Sequence, residues 1–160
     1  MKLFYHLGRY FFFLSRVFSK PEKFSIYFRQ IVYEINSLGT GSLGLIAIIS
    51  IFMGGVITIQ SAYNFTSPFI PLYAVGLGTR ESIVLEFSPT IISLILAGKV
   101  GSNIASEIGT MRISEQIDAL EIMGINSASY LILPKVIGAM FINPFLIIIS
   151  MFLGILGGYL

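Results

Sequence analysis

Few side chains in this chain of 160 residues are able to do chemistry. There is no cysteine and one histidine, His6, which excludes disulfides, thiolate catalysis, cysteine-ligated zinc and any multi-histidine metal site. Glu107, Glu115, Asp118 and Glu121 lie close together, but they lack the paired Asp or His motifs that a metal-dependent enzyme at the bilayer edge would need. No G-x-x-x-x-G-K-[ST] loop is present to hold nucleotide. The expectation is a chain without catalytic residues, metal or cofactor, whose energy comes from elsewhere. Two features remain. Glu86 lies among apolar residues, and a carboxylate in hydrocarbon costs several kcal/mol and reads as functional by default. A span starting near Ser88 would instead leave Glu86 at the interface. The run 106–126 (SEIGTMRISEQIDALEIMGIN) is the most acidic part of the chain and must sit in water or against another protein.

The elements that position these residues are membrane elements. Hydrophobic residues make up 55% of the sequence, charged residues 11%, and the mean hydropathy is +0.87. A soluble domain carries about 25% charged residues, so lipid must cover much of this surface. From Ile35 to Thr79 there is no charged residue, nor from Val136 to Leu160. A span needs about 20 residues, which predicts spans near 42–62, 83–105 and 135–160. Gly54 and Gly55, and Gly154, Gly157 and Gly158, offer small surfaces for close helix approach. Asn143 and Pro144 interrupt the last span, which Pro134 and Lys135 open. Residues 64–82 read as an apolar loop, and Lys99 lies near the inner end of the second span.

Between the second and third spans, Ile113, Ile117 and Leu120 form one helical stripe. Ser114 is a candidate N-cap, Glu115 suits the positive end of the helix dipole, and Gly124 suits the helix end. A short amphipathic helix over about 106–125 follows. Ahead of the spans, residues 3–18 put Leu3, Leu7, Tyr10, Phe11, Leu14 and Phe18 on one helical face and basic residues on the other, the pattern of a helix lying in the headgroup region. Pro21 and Glu22 end it, and 24–36 form a second short amphipathic stretch. The division is thus 1–36 interfacial and 37–160 membrane domain, in an all-α fold.

Six of the ten Lys and Arg lie in the first 29 residues, one in 64–82 and three in 99–135. The positive-inside rule then places the N-terminus and 106–126 in the cytoplasm. This basic end faces a membrane surface. A nucleic-acid partner is not expected, since such a protein would not bury the rest of its chain in apolar runs. A passive channel or scaffold is the alternative to a powered transporter, with Glu86 its sole candidate pore charge.

The runs Leu85-Glu86-Phe87-Ser88-Pro89, Leu96-Ala97-Gly98-Lys99-Val100-Gly101-Ser102 and Ala105-Ser106-Glu107-Ile108-Gly109-Thr110-Met111-Arg112-Ile113-Ser114-Glu115-Gln116-Ile117-Asp118-Ala119-Leu120 resemble the MlaE/YrbE-type permease family. That family supplies the membrane subunit of ABC systems moving phospholipid between the two membranes of diderm bacteria, with a plastid counterpart. The resemblance implies an inner-membrane homodimer, an ATP-binding cassette subunit, a periplasmic lipid-binding subunit and a phospholipid cargo. It also implies that Glu107, Gly109, Arg112, Glu115, Gln116 and Asp118 belong to the coupling segment that docks on the ATPase, and that Glu86 lies near the lipid cavity. Two positions depart from the pattern: Leu85 stands where Arg is frequent, and Lys99 keeps the charge of a common Arg without its bidentate fork. Family members continue for further spans, and the ending Gly-Gly-Tyr-Leu has no polar tail, so a C-terminal truncation is expected.

Overall fold

A computed structural model describes residues 2–18, 24–64, 71 and 73–160, and its elements are helices throughout. In order they are α1 (Lys2–Phe18), α2 (Phe24–Asn64), α3 (Tyr73–Glu81), a π-helix (Ser82–Ile92), α4 (Ser93–Ile113), α5 (Gln116–Ile122) and α6 (Ser127–Tyr159). Three stretches are long and apolar enough to cross a membrane: Ile26–Asn64, Tyr73–Ile113 and Ser127–Tyr159. Pro21 and Glu22, expected to end the first helix, lie outside the described residues, as does most of the apolar stretch after Asn64.

Several boundaries differ from the sequence expectation. The stretch 24–36 and the first span form one helix of 41 residues. No proline interrupts it, and isolated glycines cost only about 1 kcal/mol each in a helix. Part of the expected loop 64–82 is helical as α3, which starts after Pro71 with the Ala74 N–H donating to the Pro71 carbonyl at 2.9 Å. Around Pro89 the helix widens into a π-register over 11 residues. A proline has no N–H to give and its ring crowds the preceding turn, and a wider turn gives that ring room. The third span begins earlier than Pro134. Asn126 caps α6, its side-chain oxygen accepting the Ser129 N–H at 3.5 Å while its backbone carbonyl accepts from Tyr130 at 3.0 Å. The helix runs on through Pro134, Asn143 and Pro144.

The chain divides into two compact units. Unit 1 comprises 1–37 and 100–141. Here Tyr27 and Ser129, both buried, share a hydrogen bond of 3.0 Å, and the Asn126 amide donates to the Arg16 carbonyl at 2.9 Å. Val17 is buried, whereas Phe4, Tyr10, Phe11 and Phe12 of α1 are exposed. Gly138 packs closely on α2, and a methyl group on it would crowd the Glu34 Cβ at 3.0 Å.

Unit 2 comprises 38–99 and 142–160. Its core is Ile46, Ile92, Leu96 and Leu146, flanked by Ile49, Ile142 and Ile147. Backbones of α2 and α6 meet at glycines: a methyl group on Gly54 would overlap the Gly154 carbonyl, and one on Gly157 would overlap the Ile51 carbonyl. This is the small-residue packing used where hydrocarbon gives no hydrophobic drive for association. The opposite faces present Ile48, Phe52, Leu94 and Phe152 to the surroundings, as lipid contact demands.

Candidate functional site

Two groups of residues in unit 1 draw the candidate residues together. The first is the corner between α4 and α5. The helix does not run through 106–125 as expected; α4 ends at Ile113, and Glu115 takes a left-handed φ of 57°. Ser114 does not cap α5. Its hydroxyl bonds back to the Thr110 carbonyl at 2.8 Å within α4, a habit of serine in helices. Arg112 and Asp118 form an ion pair across the corner. Gly124, at φ 76°, ends α5 as its place in the sequence suggests. The Ile125 N–H returns to the Leu120 carbonyl at 3.1 Å and the Gly124 N–H to Glu121 at 3.0 Å, the two bonds of a Schellman stop. Glu121 also accepts from the Ser127 hydroxyl at 2.9 Å, which ties α5 to the start of α6.

The corner turns apolar side chains outward. Ile117 and Leu120 are half-buried, but the break after Ile113 swings that residue off the stripe. Ile113 is 88% exposed and Ile122 87%, with Met123 also exposed. Arg112, Glu115, Gln116 and Glu121 are exposed beside them. Exposed apolar side chains on a segment that also carries charged ones suit a protein-docking surface. Ile122 and Met123 escaped the sequence reading because they fall off the Ile113–Ile117–Leu120 stripe.

The second group is an ion-pair triad. Lys135 Nζ lies 2.6 Å from Glu34 Oε1 and 2.6 Å from Glu107 Oε2. The lysine side chain is 4% exposed, Glu34 12% and Glu107 40%. Three helices thus converge on one ammonium: α2, α4 and α6. Leaving one partner of a buried pair alone costs roughly 3–5 kcal/mol, so Lys135 and Glu34 depend on each other. The sequence reading took Lys135 as the polar start of a span and gave Glu34 no role. The available signal was a lysine inside an apolar helix, which requires a carboxylate from elsewhere in the chain. Gly109 follows Glu107 by two residues on α4, and a methyl group there would meet nothing within the described residues. Packing within the described residues therefore does not demand glycine at 109.

In unit 2, Glu86 is exposed on the π-helix, beside the exposed Leu85. Lys99 turns its ammonium to the Gly41 carbonyl. A pocket of about 190 Å³ opens between Thr58, Thr79, Arg80 and Tyr159. A second, of about 20 Å³, lies between α2, the π-helix and α6 around Ser50, Ser88 and Ser150. Drug-sized ligands already occupy about 300–1,000 Å³, so neither pocket encloses a phospholipid. Among the described residues no group of three or more His, Cys, Asp or Glu is placed to hold a metal ion.

Comparison with known proteins agrees with these elements. Residues 31–160 match the family described as Permease MlaE. A "Probable ABC transporter permease protein" of Rickettsia bellii is 38% identical over 135 residues, covering 84% of this chain and 52% of that protein. One from Synechocystis is 34% identical over 148 residues, covering 92% of this chain and 56% of that protein. The Arabidopsis thaliana "Protein TRIGALACTOSYLDIACYLGLYCEROL 1, chloroplastic" is 36% identical over 140 residues, covering 82% of this chain and 37% of its own length. The chain spans about half the length of the bacterial relatives it matches. With a match across 31–160 and helices to span a membrane three times, this chain is a multi-pass membrane protein of the MlaE permease family.

Proposed function

We propose that this chain forms the membrane-spanning core of the permease subunit in an ABC-type system that moves phospholipid between inner and outer membranes. ATP hydrolysis resides in a separate subunit, which docks on the corner at Arg112–Met123. The observation carrying this reading is the exposure of three large apolar side chains, Ile113, Ile122 and Met123, on a segment that also exposes Arg112, Glu115, Gln116 and Glu121. Such a surface on a segment linking two spans is a handle for a partner. Nucleotide states that bind it differently would shift the permease between shapes.

Glu86 faces the lipid route. An exposed carboxylate on a helix of this length in a membrane requires a cavity, a partner or a substrate group. The small size of both pockets supports a cavity completed by a second copy and by the rest of the protein. The N-terminus lies on the cytoplasmic side of the inner membrane of a diderm bacterium, as the Lys and Arg distribution favours, and a periplasmic lipid-binding subunit takes up or delivers the cargo.

Affinity purification of the full-length protein in mild detergent, followed by mass spectrometry, tests this. An ATP-binding subunit and stoichiometric phospholipid are expected. Phospholipid with no ATPase, or ion conductance indifferent to ATP, overturns the proposal and favours a passive channel or scaffold.

A further inference from the structure

We infer that Lys135 is a positioning residue, a two-armed clasp in which Glu34 is the fixed counter-ion and Glu107 the releasable arm. The inference rests on the coupling role proposed above for the α4–α5 corner. Its ground is an asymmetry in the triad. Both carboxylates lie 2.6 Å from the same ammonium, yet Glu34 is 12% exposed and Glu107 40%. Opening the Glu34 arm would strand a nearly dry carboxylate, although Lys135 would keep Glu107. Opening the Glu107 arm would leave Lys135 paired with Glu34 and free the more exposed of the two carboxylates. The two arms are therefore unequal in the work needed to open them.

The weak arm is the one on α4. Glu107 stands two turns before the end of that helix, and the Arg112–Asp118 pair and the Glu115 turn follow directly. While closed, the Glu107 arm holds the end of α4 against α2 and α6. Opened, it frees the corner without exposing an unpaired buried ammonium. Packing opposes loosening on the other arm, because Gly138 of α6 lies so close to Glu34 that a methyl group on it would stand 3.0 Å from the Glu34 Cβ. The clasp thus gives the end of α4 two discrete positions, and a push at the corner selects between them.

The test uses the full-length protein, alone and with its ATP-binding subunit. Spin labels go on Thr110→Cys and Met140→Cys, both exposed sites in the same unit. In Glu107→Gln the label-to-label distances should spread in the isolated protein, while its thermal unfolding midpoint stays at the unsubstituted value. In the complex, lipid moved per ATP hydrolysed should fall about tenfold. Glu34→Gln should lower the midpoint, and adding Lys135→Met should restore it. Unchanged distances in Glu107→Gln overturn the clasp. So does a loss of stability equal to that of Glu34→Gln with hydrolysis and transport falling in step, which marks a purely structural triad. If the unsubstituted complex hydrolyses ATP but moves no lipid, the permease reading fails, and the distances still decide the clasp.

Discussion

Glu86 and Lys135 are both charged groups on long apolar helices, and they meet opposite fates. Lys135 is enclosed and doubly paired, whereas Glu86 stands exposed beside Leu85. Replacing Glu86 by Gln keeps the shape and removes the charge. The expected outcome is altered phospholipid occupancy with intact assembly, read by lipid mass spectrometry and native size on the purified protein. Unchanged occupancy and transport would make Glu86 a bystander. Glu86 stood out in the sequence because a charge in an apolar run announces itself. The role of Lys135 did not, because its partners lie 28 and 101 positions away and adjoining Pro134 made it look like a boundary.

At the scale of elements, the linker between the second and third spans is a corner, and its shape rests on two left-handed residues. Gly124 was readable as a stop, since glycine adopts that conformation freely. Glu115 was not, since nothing in its type favours φ 57° and the surrounding residues fit an unbroken stripe. Helices α2 and α6 start well before the expected spans 42–62 and 135–160: hydropathy marks where a helix meets lipid, and both helices continue beyond that stretch. For the corner, Arg112→Glu should weaken association with the ATP-binding subunit while leaving the protein in the membrane. Exposed ion pairs contribute about 0–1 kcal/mol, so losing the pair with Asp118 cannot unfold the protein. Co-purification at rising salt measures the effect, and an undiminished complex would remove the corner from the interface.

For the molecule as a whole, the decisive contacts are those that need the smallest residue. The sequence showed glycines on the first and third spans but could not pair them. The structure pairs Gly54 with Gly154, and Gly157 with Ile51, backbone against backbone. Gly54→Val puts branched carbon where the Gly154 carbonyl stands. Forced overpacking costs about 1–3 kcal/mol, and here the obstacle is backbone, which yields less than a side chain. The expected result is a lower unfolding midpoint in detergent with lost transport, whereas Gly44→Val, where a methyl group meets open space, should hold both. Equal behaviour of the two variants would show that the glycine contact does not hold the spans together.

The left-handed turn at Glu115 has a mechanical meaning. A non-glycine residue pays about 1–2 kcal/mol to sit there, and the hydroxyl of Ser114 is already bonded in helical fashion to Thr110. Turning one residue to ordinary helical angles would fuse α4 and α5 into a single rod and relieve that strain. The bend is therefore a cocked joint, spanned by the surface bridge from Arg112 to Asp118 and tied to α6 through Glu121 and Ser127.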